Sequence, residues 1–216
     1  MKPVVVLVAS LLLAGCAVEY TQTDLQSLKR ADRASLREAT DVAVVLYPIP
    51  APTYNGYVDQ RSIDIRDQTG IEAPLDRIRE AFVTRLTGPL EYPAVLKRPP
   101  AMVASDAPDD IKASVEAPLV LDFATRSWGW GNLRGGGDPK PDDPIYVHHH
   151  VRARLVRTSY NQVLWQAVCG LRGYPGDEAA KFSALLADGG TLLRQKLAAA
   201  ADRCAAELVE FFQGAD

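Results

Sequence analysis

Two β-forming runs, IYVHHHVRARLV from Ile145 and NQVLWQAVCGL from Asn161, stand almost back to back, separated only by Arg157 to Tyr160. A gap that short returns the chain beside itself, so the two runs predict an antiparallel hairpin and set the core of a sheet. Two further strand signals precede them. DVAVVLYPI, Asp41 to Ile49, is β-branched and apolar on both faces, which marks a central strand, and Pro48, Pro50 and Pro52 end it. APLVLDFAT follows from Ala117. Between these signals, Pro74 to Thr87 reads as a helix, with Leu75, Ile78, Phe82, Val83 and Leu86 on one face, Pro at its start and Gly88-Pro89 at its stop. The last helix, Thr191 to Phe212, carries Leu193, Leu197, Ala200, Cys204, Leu208 and Phe211 at steps of three and four, with Thr191 as its N-cap. Shorter helices are expected over Asp109 to Glu116 and Asp177 to Ala187, around a Pro-rich connection from Tyr92 to Pro108. Asn55-Gly56, between Tyr54 and Tyr57, is either a type I′ hairpin turn or the tip of a tyrosine-bearing loop. The order β-α-β-β-β-α predicts an α+β fold: a single, mostly antiparallel sheet with helices packed on one face.

The amino-terminal stretch has a different character. Lys2 is followed by an apolar run from Pro3 to Gly15, shorter than the roughly 20 residues a membrane-spanning helix needs. Its layout is that of a signal peptide. The run closes on Leu13-Ala14-Gly15-Cys16, which resembles the lipobox of bacterial lipoprotein precursors. In that family the cysteine is lipidated on sulfur, the peptide is cut before it, and the new amino terminus is acylated. The resemblance implies that residues 1–15 are a removed signal peptide and that Cys16 carries the acyl chains, each buried CH₂ contributing about 0.8 kcal/mol of membrane affinity. Ala17 stands where an Asp would signal inner-membrane retention in some members, so the resemblance favours the outer membrane, facing the periplasm. Residues 16–40 then read as lipidated cysteine and polar tether with some helical character, and 41–216 as a single domain.

In that oxidising compartment the three cysteines resolve: Cys16 carries lipid, leaving Cys169 and Cys204 as an even pair. A bridge would tie the last helix to a strand; the alternative is two buried thiols. The net charge of −3, with basic residues spread rather than clustered, gives no basis for nucleic-acid binding.

Candidate chemistry is sparse. All three histidines lie in His148-His149-His150, and on a strand His148 and His150 share a face that continues through Arg152 and Arg154. This alternation reads as a solvated cationic surface. The metal alternative would need His148, His150 and a carboxylate from elsewhere, with Asp122 as its source, because zinc takes three or four ligands. Asp122 shares a face with Val120 and Ala124 and is expected as a core-edge carboxylate paired with an arginine, the alternative being a catalytic base. The stretch from Ser127 to Pro144, with two Trp, five Gly and three Pro, reads as a long irregular loop. Trp128 and Trp130 either cap the core or anchor a protein partner. Arg134 breaks the G-x-G-x-x-G pattern, and no G-x-S-x-G, S-x-x-K, H-E-x-x-H, Walker A or EF-hand motif is present.

The element order and the tether resemble the small α/β lipoproteins that act as accessory parts of envelope machines, of the curli-secretion, polysaccharide-export and transport-auxiliary kinds. The expectation is therefore a lipid-anchored, non-catalytic assembly component with no cofactor. Its partners would be the membrane through the lipid and an envelope protein, or copies of itself, at the sheet edge and the Trp-bearing stretch. A small-molecule or lipid-binding lipoprotein and a metal-dependent hydrolase are the alternatives.

Overall fold

The computed structural model describes residues 30–90, 92, 99–135, 137–170 and 179–214. The expected signal peptide, Cys16 and the first part of the expected tether lie outside them. The chain runs through α1 (Arg30–Glu38), β1 (Val42–Leu46), β2 (Thr53–Tyr54), α2 (Gln60–Thr69), α3 (Leu75–Thr87), β3 (Ala101–Met102), α4 (Pro108–Ser114), β4 (Leu119–Asn132), β5 (Pro144–Arg157), β6 (Gln162–Cys169), β7 (Ala180–Lys181) and α5 (Phe182–Gln213). A single 3₁₀ turn, Thr158–Tyr160, joins β5 to β6.

The fold is α+β, but the sheet is mixed rather than mostly antiparallel. β4, β5 and β6 form the expected antiparallel core. β1, however, lies parallel to both β4 and β3, and β2 runs parallel to the far half of β4. The reason is the connection: α2, α3 and α4 separate β1 from β4, and a long helical crossover returns a strand in the same direction. The seven-stranded sheet has the order β3-β1-β4-β5-β6, with β2 beside β4 and β7 beside β5.

Both faces are covered, in different ways. α3 and α5 lie on one, where Leu75, Ile78, Phe82, Leu86, Leu208 and Phe212 pack against Leu121, Phe123, Ala153 and Leu155. Phe82 is its aromatic centre, stacked on Trp165 at 5.8 Å and edge-on to Phe123 at 5.6 Å and to Phe212 at 5.8 Å. On the second face, Ile111 of α4 packs with Ala43, Val45, Tyr47, Val120 and Ala124. The expectation of helices on one face only is thereby corrected.

Helix α1 corrects a second expectation. Leu36 is buried in the main core and Asp32 pairs with Arg157 at 3.1 Å, so the folded unit begins before Asp41. α2 is an element that the sequence reading missed. Asp59 caps it by accepting from the Ser62 amide at 2.7 Å, and Gly70 closes it in the left-handed conformation. Asn55 and Gly56 both have positive φ, and Tyr54 and Tyr57 exchange backbone hydrogen bonds of 2.8 and 3.0 Å, which selects the hairpin turn over the loop. α5 breaks at Ala187–Gly190, where Asp188, Gly189 and Gly190 adopt positive φ. The final helix therefore starts near Thr191 as expected, although the Thr191 hydroxyl donates back to the Asp188 carbonyl (2.8 Å) rather than capping forward.

The stretch from Ser127 to Pro144 differs most. β4 continues through it to Asn132 and β5 begins at Pro144, leaving a turn only over 133–143. A register shift between Thr125 and Ser127 lets Trp128 and Trp130 follow Leu121 and Phe123 onto the same face of the sheet, although they differ in parity. The two glycines around Trp130 are demanded by close approach. Gly129 has φ +145, and a side chain there would collide with the Thr53 backbone of β2; one at Gly131 would meet the Tyr146 ring at 2.5 Å.

Gly129→Ala should therefore cost about 3 kcal/mol or more, from backbone strain and overpacking together. Gly135→Ala, also at positive φ but facing open space, should cost about 1 kcal/mol. Urea unfolding of the two variants measures the difference, and equal losses would contradict the close packing of β2 on β4.

Candidate functional site

The second face of β4 and β5 carries an unbroken polar row. Residues of even number on β5 place Tyr146, His148, His150, Arg152 and Arg154 side by side, as strand alternation requires. Opposite them in register lie Gly131, Gly129, Ser127, Ala124 and Asp122. Tyr47, the residue after β1, joins them from beyond Asp122.

At the Arg end, the Asp122 carboxylate is completely buried. It accepts from Arg154 Nε at 2.8 Å, from the Tyr47 hydroxyl at 3.1 Å and, on its other oxygen, from Arg152 Nη2 at 3.4 Å. Arg152 and Arg154 are 4% and 7% exposed, which corrects the expectation of a solvated cationic surface; the arginine-paired carboxylate is the reading of Asp122 that the geometry matches. The Arg152 guanidinium also lies over the Tyr47 ring, 5.9 Å from its centroid. Burial, then the Asp122 charge, pushes the Tyr47 hydroxyl well above the ordinary tyrosine value, so it stays protonated and donates. Burial works against the Arg154 charge, but the hydrogen bond and charge of Asp122 outweigh it and raise its pKa. Deleting one member of such a buried pair typically costs about 3–5 kcal/mol, because the partner charge is left without compensation.

At the His end, His148 Nε2 lies 3.0 Å from the Thr53 hydroxyl and His150 Nδ1 lies 2.9 Å from the Ser127 hydroxyl. Their rings are 5.9 Å apart. His149 points to the other face, opposite Trp128 in the ladder, and is buried. Burial first, and neighbouring imidazoles second, bring His148 to about 4 and His149 to about 3, so both are neutral near pH 7. Burial also lowers His150, against an opposing backbone hydrogen bond to Gly170.

The structure does not bring the suspected metal ligands together: Asp122 pairs in register with Arg154, whereas His148 pairs with Gly129 farther along the ladder. Among the described residues no three His, Cys, Asp or Glu side chains converge, and the oxygens of Asp122 already accept from cations. Trp128 and Trp130, each 2% exposed, sit in a core with Tyr54, Ile65, Leu193 and Leu197, and the Trp128 indole donates to the Pro50 carbonyl at 2.8 Å. They cap the core and are not exposed anchors. Cys169 and Cys204 form a disulfide joining β6 to α5, with Cα atoms 5.0 Å apart. The sequence reading missed Tyr47, Thr53, Ser127 and Asp106. Alternation from Val45 would have placed Tyr47, whereas nothing local marks Asp106.

Neither a family model nor a curated protein sequence matches the chain. Among solved structures, it is similar to the PelC dodecamer from Paraburkholderia phytofirmans (13% identity, 88% of this chain and 96% of that one, TM-score 0.34). It is also similar to protein XCC0632 from Xanthomonas campestris (8% identity, 79% and 84%, TM-score 0.34). A third is lipoprotein GNA1162 from Neisseria meningitidis (12% identity, 59% and 80%, TM-score 0.25). Superpositions at these scores establish neither a shared fold nor a shared function.

The depressed histidines give stability a definite pH dependence. The folded state holds them neutral, whereas in the unfolded chain they bind protons below about pH 6.5. Their contribution is complete above that value and is lost as pH falls from about 6.5 towards 4 for His148 and towards 3 for His149. Asp106, held below the ordinary carboxylate range, adds loss of the same sign only below its unfolded value of 3.8. Urea midpoints should thus be level from about pH 7 to 9 and fall between about pH 6.5 and 3, with a smaller fall in His148→Asn. A midpoint rising on acidification would contradict the buried neutral imidazoles.

Proposed function

We propose that the protein is a lipid-anchored lipoprotein of the bacterial outer membrane, facing the periplasm, and a non-catalytic assembly or accessory component of an envelope complex. The observation that carries this reading is the buried disulfide between Cys169 and Cys204. Such bonds persist in oxidising compartments, which agrees with the lipobox-like Leu13-Ala14-Gly15-Cys16. Acylated Cys16 fixes the location. The chain after it reaches the folded unit at α1, beside Arg157 at the start of the β4–β5 ladder.

A binding rather than catalytic role fits the polar face, where the charges and imidazoles are engaged by Tyr47, Thr53, Ser127 and one another. It also fits the helix layer, where Phe82, Phe123, Trp165 and Phe212 fill the space that an apolar ligand would need. A surface available to a partner lies at the other end of the ladder, where the β2 hairpin meets the β4–β5 turn. Asn55 bonds Asn132 there, and Tyr57, Val58 and Leu133 are 73%, 59% and 45% exposed. No helix among the described residues is long and apolar enough to cross a membrane.

The test is labelling with a palmitate analogue in a Gram-negative host, followed by membrane fractionation. The wild-type protein should carry label and sediment with the outer membrane. Cys16→Ser should carry none and keep its leader. Unlabelled wild-type protein would overturn the anchoring.

A further inference from the structure

Arg152 and Arg154 share the buried Asp122 carboxylate, so one guanidinium charge still needs a counter-charge of its own. Leaving a buried cation uncompensated is strongly destabilising. The second carboxylate comes from outside the sheet. Asp106, in the connection between β3 and α4, accepts from Arg152 Nη1 and, at 3.4 Å, from Arg126 Nη2, while its backbone carbonyl accepts from Arg154 Nη2 at 2.8 Å. The Arg152 side chain is only 5% exposed, but that of Asp106 is 43% exposed. The cationic seat is thus walled by protein on one side and faces solvent across Asp106 on the other. Arg152 Nε is also buried and meets no acceptor among the described residues. Guanidinium groups match carboxylates through paired donors, so the seat offers more donors than Asp106 uses.

We propose that Arg126, Arg152 and Arg154 form a carboxylate-binding site on the second face of the sheet, which Asp106 occupies from within the chain. A carboxylate-bearing ligand takes the seat when the β3–α4 connection moves aside. Asp106 then acts as an internal competitor: it keeps the buried arginines neutralised in the absence of ligand and sets a threshold that a weakly held anion does not pass. Burial raises the Asp106 pKa, but Arg152, Arg154 and Arg126 outweigh it and hold the carboxyl below its ordinary value, so it is charged throughout the neutral range.

The experiment is chemical rescue of Asp106→Ala by acetate at pH 7, read as melting temperature against equal ionic strength of chloride. The exposed Arg77–Asp202 pair, joined at 2.7 Å, supplies a control of identical charge change in Asp202→Ala. Asp106→Ala should melt lower than wild type in chloride and recover most of the loss in acetate. Wild type and Asp202→Ala should respond equally to the two salts. No acetate-specific recovery, or the same recovery in Asp202→Ala, would overturn the site. If Asp106→Ala does not fold, the side-chain Nε resonances of Arg126 and Arg152 are followed during acetate titration of Asp106→Asn, which keeps the side-chain volume and removes the internal carboxylate. Displacement of both supports the site, and no movement overturns it.

Discussion

The register shift between Thr125 and Ser127 decides which side chains of the longest strand pair reach the helix layer. Before it, Leu121 and Phe123 face α3 and α5; after it, Trp128 and Trp130 face α5 although their parity has changed. Without the extra residue, strict alternation would turn Ser127, Gly129 and Gly131 towards the helices and both indoles to the opposite face, since a one-residue slip inverts every side chain. The shift also explains what stands behind the indoles. Small residues there admit the β2 backbone, the Tyr146 ring and the hydroxyls that hold His148 and His150.

The polar row on β5 depends on this arrangement. Five polar side chains on one face of a central strand would be costly to bury unless each had a partner. Hydroxyls serve the imidazoles, and carboxylates from β4 and from the β3–α4 connection serve the guanidiniums. The fold thereby uses electrostatics to hold a connection against the sheet where apolar packing from the short helix α4 is limited. Most of the buried apolar side chains lie instead on the other face, where Phe82 touches three aromatic rings.

The elements with the clearest periodicity were legible in the sequence: β1, α3, the β5–β6 hairpin and the final part of α5, together with the pairing of Cys169 with Cys204. What was not legible depended on partners distant in the chain. The mixed sheet follows from where the helical crossovers deliver β1 and β2, which strand composition does not encode. α2 escaped because Ile63-Asp64-Ile65 alternates like a strand and only Ser62 and Ile65 are buried, although its caps, Asp59 and Gly70, were in plain view. Glycine content made β4 read as a loop, whereas close approach of Thr53 and Tyr146 is what the glycines serve. The HHHVRAR alternation was correctly placed on one strand, but its burial was hidden because it depends on Tyr47 and Asp106.

On the proposed reading the domain holds a neighbour in place rather than turning over a substrate: the imidazoles and guanidiniums of the polar face have partners within the chain, and Tyr57, Val58 and Leu133 stand exposed together at the end opposite α1. The most direct test is the mass of the particle in which the native protein travels after extraction from membranes in mild detergent, with crosslinking from position 57 to identify what it touches. A discrete complex larger than the protomer, crosslinked through the Tyr57 and Leu133 end, is the expected result. A lone monomer with no crosslinked neighbour would contradict the assembly role.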